Sequence, residues 1–272
     1  MFAYYVHDLS PYLIHFGGNW GIRYYGLAYA VGFIGLYFGL VWQAKRGWLP
    51  LSQDAIVDFL TAMIIGVIVG GRLTSCLLYN WDATVRHPLS IFFVWQGGMA
   101  SHGGIVGSIL AIAWFARRQK ISFYVLADAT ALCTPPALAL GRVANFINGE
   151  LWGRPATVPW AVIFPDAPRG PDGVPLPRHP SQLYEAGLEG LLLFAILLLL
   201  RFRTKRAGIV SLTFMGAYPV LRIVGEFFRE PDDNIGYFFG WLTQGQLLSA
   251  AMFAATAVMV WLQFFRSTKR AA

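Results

Sequence analysis

The 272 residues are 56% hydrophobic and only 13% charged, with a mean hydropathy of +0.52, whereas soluble domains carry about 25% charged residues. That composition excludes an ordinary water-soluble globular domain. The net charge of +7 would suit a nucleic-acid binder, but the basic residues form no continuous patch and fall between apolar runs, so no nucleic-acid partner is expected.

The predicted elements, in chain order, are those of an all-α polytopic membrane protein with seven transmembrane helices. The N-terminal run MFAYYVHDLSPYLIHF has no basic leader and no Ala-x-Ala-like cleavage site, so no removable signal peptide is expected. Apolar segments follow at roughly 22–43, 56–78, 92–116, 122–143, 182–200, 208–228 and 244–265, most of them near the length of about 20 residues that crosses a hydrocarbon core of about 30 Å. Lys45 and Arg46 follow the first; Arg117, Arg118 and Lys120 the third; Arg201, Arg203, Lys205 and Arg206 the fifth; Arg266, Lys269 and Arg270 the last. Lys and Arg accumulate in cytoplasmic loops, so this alternation places the N-terminus outside and the C-terminus in the cytoplasm. The chain then reads as one integral membrane domain, 1–272. Its long Pro- and Gly-rich connection, 144–181, becomes a small periplasmic cap without a regular helix across its centre. Cys76 and Cys133 lie inside apolar segments and read as packing residues, with no metal-ligand spacing.

Polar residues inside such segments are costly and mark function unless they pair. In the first helix Arg23, Tyr24 and Tyr25 fall at the outer interface, where an aromatic belt is one reading. In the second, Arg72 either snorkels or pairs, or meets a lipid headgroup. WQGGMASHGGIVGSILA sets His102 among glycines that allow close helix approach, with Gly103 and Gly107 at small-xxx-small spacing. His102 is either a satisfied core hydrogen-bonder or a base, since imidazole titrates near neutrality.

GRVANFINGELWG, Gly141 to Gly153, places Arg142, Asn145, Asn148 and Glu150 where an apolar run ends. If the fourth helix continues through here, Arg142 and Asn145 share a face. The guanidinium fork suits phosphate, and Asn can hold a phosphate or a glycerol hydroxyl. Glu150 can orient the Arg or accept a hydroxyl, and a structural Arg–Glu pair closing the helix end is the alternative. RHPSQLYEAGLEG puts Glu185 and Glu189 four apart, where pairing and catalysis are equally open. In the sixth helix Arg222, Glu226 and Arg229 stand at i, i+4 and i+7, a spacing that suits either an anion site with net positive charge or a self-satisfied ladder.

HGGIVG, GRVANFINGELWG, RHPSQLYE and the R-x-x-x-E-F-F-R-E-P-D run together resemble the bacterial phosphatidylglycerol:prolipoprotein diacylglyceryl transferases, in order, over nearly the whole chain. The resemblance implies a multi-pass enzyme of the bacterial inner membrane. Such an enzyme moves the sn-1,2-diacylglyceryl group of phosphatidylglycerol onto the lipobox cysteine of a prolipoprotein signal peptide. A thioether forms and glycerol phosphate leaves. No metal or other cofactor is implied; the partners are the two substrates and membrane lipids. By resemblance Arg142 and Arg222 meet the phosphate and His102 is the base, while Tyr25, Asn145, Asn148, Glu150, Gly153, Glu185, Glu226 and Arg229 line or brace the substrate site. An anion transporter or channel and a membrane scaffold whose polar residues merely pair are the competing classes.

Overall fold

The computed structural model describes residues 4–18, 20–230 and 243–261. They form β1 (Tyr5–Val6), β2 (Tyr12–Gly17), β3 (Trp20–Arg23), α1 (Tyr24–Lys45), α2 (Gln53–Thr74), α3 (Trp81–Arg86), α4 (Ser101–Arg118), α5 (Phe123–Ile147), β4 (Val162–Ile163) and β5 (Pro177–Arg178), then α6 (Ser181–Arg203), α7 (Ile209–Glu226) and α8 (Gln244–Val260). Five helices among the described residues are long and apolar enough to cross a membrane: α1, α2 with the turn that extends it to Tyr79, α5, α6 and α7. The chain is therefore a mostly helical, multi-pass membrane protein. Phe38 and Leu110, more than 60% exposed on their helices, suit a surface solvated by lipid tails.

Contacts divide the chain into two compact units, Met1–Leu36 with Thr130–Ala272, and Tyr37–Ala129. In the second, α2 packs along α4. Ser52 caps α2 by accepting from the Ala55 amide at 3.2 Å, which starts the helix three residues before the apolar run. Within their seam a Cβ on Gly66 would lie 2.7 Å from the Gly107 carbonyl oxygen. Only glycine lets the backbones come this near.

The expected third segment, 92–116, is shorter than its apolar run: its helix begins at Ser101. Pro88–Phe92 and Val94–Gln96 make short 3₁₀ turns instead, and Gly97 and Gly98 carry φ of 84° and 73°, which no continuing α-helix accepts. The buried Arg72 guanidinium holds this connection by donating to the carbonyls of Ser90, Ile91, Gly97 and Gly98. It thus pairs with backbone rather than snorkelling, and meets no carboxylate among the described residues.

In the first unit α6 packs against α7, and α7 against α8. Two small β arrangements stand beside the helices. β2 and β3 form a hairpin, and β1 pairs parallel to β4, which pairs antiparallel to β5. The sheet covers a small apolar core of Val162, Phe164 and Ala167 with Phe146 and Trp152. His7 ties the N-terminal segment into it, its Nε2 2.8 Å from the Phe146 carbonyl at the end of α5. The 144–181 connection has no helix at its centre, as expected, but it is organised by this sheet. The last expected helix is seen as Gln244–Val260. Its remaining residues, and most of the 229–243 connection, lie outside the described residues.

Candidate functional site

α5 does continue past residue 143, to Ile147, so Arg142 and Asn145 are helical. They do not share partners. Arg142 turns to α6, where its Nη1 lies 2.9 Å from Glu185 Oε2 and its Nη2 3.1 Å from Glu189 Oε2. This approach is steric in origin: Gly190 sits directly on Ala139, so closely that a Cβ there would touch the Ala139 backbone at 3.0 Å, and Glu189 and Arg142 lie just beyond that contact. α6 also passes through a π-helical stretch at Ala186–Leu192, which alters the spacing that a regular i, i+4 pair would have.

The same carboxylates meet a second guanidinium from α7. Arg222 donates to Glu185, to Glu189 at 3.3 Å, and to Glu226 one turn along its own helix. Arg229 adds a longer contact, 3.9 Å to Glu185. Three guanidiniums and three carboxylates thus gather among the described residues, with Glu185 and Glu189 wholly buried. Burying ions costs several kcal/mol each unless they pair, and here each charge has an opposite neighbour.

One expectation is corrected. Arg229 does not continue the helical face of Arg222 and Glu226, because α7 ends at Glu226 and Arg229 lies in extended backbone bridged to Gly153. Of the two readings of Arg222, Glu226 and Arg229, the paired one describes the geometry: with Arg142, Glu185 and Glu189 included, three guanidiniums are matched in number by three carboxylates. Glu189, visible in the sequence only as the i+4 partner of Glu185, belongs to the centre of the cluster.

Asn145, Asn148 and Glu150 make a second, adjoining group. Asn145 Nδ2 donates to Glu150 Oε1 at 2.8 Å and Asn148 Nδ2 to the same oxygen at 3.3 Å. Glu150 therefore does not orient an arginine. Its own carbonyl accepts from Gln182 Nε2 at 2.6 Å, and the next carbonyl, Leu151, accepts from Ser181 Oγ at 3.1 Å. These bonds hold a tight turn in which Gly149 and Leu151 have φ of 66° and 57°. A left-handed leucine is uncommon and persists only where surrounding bonds enforce it.

Gly153 contributes backbone rather than a ligand. It donates to the His179 carbonyl at 3.0 Å, and an added Cβ would stand 2.6 Å from the Phe228 carbonyl oxygen. Here the chain after α5, the strand before α6 and the turn after α7 meet. The buried Arg178 locks them together, donating to Gly153 at 3.1 Å, to Pro168 at 2.7 Å and to Glu230. Next to this crossing His179 Nδ1 lies 3.2 Å from the Tyr184 hydroxyl, which accepts from Trp160 Nε1 at 2.6 Å. Burial pushes the His179 imidazole below its usual range.

Tyr25 is half-exposed on α1 with its ring edge-on to Tyr29. His102 belongs to the second unit, in the first turn of α4, and is partly buried. Gly103, its neighbour, lines an apolar cleft of about 650 Å³ along α2 and α4.

These features define an integral membrane protein whose apolar helices enclose a compensated cluster of guanidiniums and carboxylates. The profile of the family described as prolipoprotein diacylglyceryl transferase matches residues 11–262. The chain is 50% identical over 236 residues to the phosphatidylglycerol–prolipoprotein diacylglyceryl transferase of Geobacter sulfurreducens, covering 87% of this chain and 88% of that one. It is 48% identical to the protein of that name from Rhodopseudomonas palustris (86% and 83% covered) and 44% identical to that from Nitrobacter hamburgensis (93% and 88%). The chain belongs to the prolipoprotein diacylglyceryl transferase family.

Proposed function

We propose that this chain is the bacterial inner-membrane enzyme that transfers the sn-1,2-diacylglyceryl group of phosphatidylglycerol to the lipobox cysteine of a prolipoprotein, the first step of lipoprotein maturation. The observation that carries the reading is the buried cluster of Arg142, Arg222 and Arg229 with Glu185, Glu189 and Glu226, in a chain half identical to a relative named for that activity. A purely structural network would also be paired. Family membership turns the reading toward chemistry.

In this reaction the thiolate of the peptide attacks the glycerol carbon, a C–S bond forms, and the C–O bond to phosphate breaks, releasing glycerol phosphate. A thiolate, not a thiol, is the nucleophile, so a base must take its proton. Arg142 and Arg222 are assigned to the phosphate, whose charge is best stabilised by preorganised donors in a medium of low dielectric. Because three carboxylates already occupy these guanidiniums, an arriving phosphodiester displaces part of the pairing and adds one negative charge to a balanced cluster. The thiol proton is assigned to His102 on the chemistry of its side chain. Asn145, Glu150 and Arg229 brace the headgroup region, and Tyr25 lines it on the family resemblance.

The decisive experiment is mass spectrometry of a lipobox peptide incubated with purified protein and phosphatidylglycerol. A mass increase by one diacylglyceryl group, with glycerol phosphate released, is expected. Lipid bound or moved without peptide modification would instead point to a transporter.

The same reading takes seven spans with the N-terminus periplasmic, the C-terminus cytoplasmic and residues 144–181 as a periplasmic cap on a single integral membrane domain. The alternation of basic loops supports it. A cysteine replacing Asp172, in a chain with Cys76 and Cys133 changed to Ser, is expected to react with an impermeant thiol reagent from outside the inner membrane. Labelling only after membrane rupture would reverse the orientation.

A further inference from the structure

The group around Glu150 contains two acceptor oxygens that the protein leaves unused. Asn148 Oδ1 and Gln182 Oε1 are both inaccessible and have no hydrogen-bond partner among the described residues. Their orientation is set by the other half of each amide: Asn148 Nδ2 donates to the Glu150 carboxylate, and Gln182 Nε2 to the Glu150 carbonyl. Flipping either amide would set an oxygen against an oxygen. Gln182 is wholly buried. Leaving a buried acceptor unmade is costly, and native proteins do so where something else supplies the donor.

The two buried side-chain atoms that this group leaves without a partner are both acceptors. The Glu150 carboxylate is acceptor-only when ionised, and its Oε1 takes the two amides. Two unmade acceptors beside one carboxylate suit a ligand rich in O–H donors. A phosphodiester, which has no O–H, suits instead the guanidiniums of the adjoining cluster: Glu185, which meets Arg142 and Arg222, is three residues on from Gln182 in α6.

We infer that Asn148, Gln182 and Glu150 form a hydroxyl-recognition subsite that reads the polyol part of the lipid headgroup while the arginines take its phosphate. The inference rests on the transferase reading and extends it to headgroup choice. It makes Gln182 a specificity-determining residue, and it explains why the turn at Gly149–Leu151 is held in a left-handed conformation. That turn directs the Glu150 side chain toward the Asn145 and Asn148 amides while its carbonyl stays on Gln182.

The test compares phosphatidylglycerol with phosphatidylpropanol, which has the same phosphodiester charge and chain length but no headgroup hydroxyl. The readout is transfer to a lipobox peptide by the full-length protein in mixed micelles. The native protein is expected to favour phosphatidylglycerol by about tenfold to a hundredfold in kcat/KM, because sites built to bond a hydroxyl reject the analogue that lacks it. Gln182→Met and Asn148→Leu are each expected to reduce that ratio at least threefold, through a loss confined largely to phosphatidylglycerol. Equal use of the two lipids by the native protein would overturn the subsite and leave the transferase reading intact, and it needs no variant to be stable. Variants that lose both lipids in parallel, keeping the native ratio, would also overturn it, since the residues would then serve only the fold. Absence of peptide modification with either lipid would sink the transferase reading itself, and the subsite with it.

Discussion

Arg142 on α5 and Glu189 on α6 meet at 3.1 Å, 47 residues apart in the chain, and the same carboxylate reaches Arg222 on α7 at 3.3 Å. One buried acid thereby joins three helices. Removing it leaves two guanidiniums short of a partner, whereas removing acid and base together leaves less uncompensated charge.

Glu189→Leu is therefore expected to destabilise the protein by about 3–5 kcal/mol, the usual cost of breaking a buried pair by one partner. Arg142→Met combined with Glu189→Leu should cost less than the sum of the two single changes. The double-mutant cycle is read from thermal unfolding in detergent, and additive effects would show that the contact carries no coupling.

Gly153→Ala is expected to damage the crossing of three chain segments. Its Cβ would stand within 2.6 Å of the Phe228 carbonyl oxygen and equally crowd His179, both backbone-anchored. Overpacking of this kind costs about 1–3 kcal/mol. Faster proteolysis within 144–181 should accompany the lower melting temperature; a native digestion pattern would mean the backbones can part without loss.

His102→Gln retains hydrogen bonding but cannot take the thiol proton. The single-turnover rate should fall by at least about a hundredfold, the lower end for a general base. The defect should shrink as pH rises toward the free thiol value of about 8.5, where solvent makes thiolate unaided. A defect constant across that range would show that His102 positions substrate or supports α4 instead.

His179 gives a stability signature of opposite origin. Burial lowers its imidazole below the unfolded value, so the folded state binds fewer protons than the unfolded one. Stability is then fully present above about pH 6.5 and falls as pH drops through the lowered folded value. Protonation would also make Nδ1 a donor where it faces the Tyr184 hydroxyl. His179→Gln should flatten the acid-side slope of melting temperature against pH; an unaltered slope would assign it to other groups.

Much of this protein was already determined along the chain. Runs of apolar residues set the helices, because hydrocarbon tolerates no unpaired backbone, and the i, i+4 spacing of Arg222 and Glu226 foretold their pairing on α7. The hairpin of β2 and β3 also had a signal, a Gly-Gly pair between two short apolar runs in YLIHFGGNWGIR. What the tertiary structure alone decided is which charges meet. Periodicity relates residues on one helix, but Arg142 finds Glu189 through the height at which α5 and α6 cross, set by the contact of Gly190 with Ala139. Arg229 shows the converse. Its i+7 spacing was lost because α7 stops at Glu226, where the chain turns to bridge Gly153 and leaves the guanidinium to reach Glu185 from outside the helix. The charge balance of the cluster follows from those crossings, since no single helix carries all three of its arginines and all the carboxylates that pair with them.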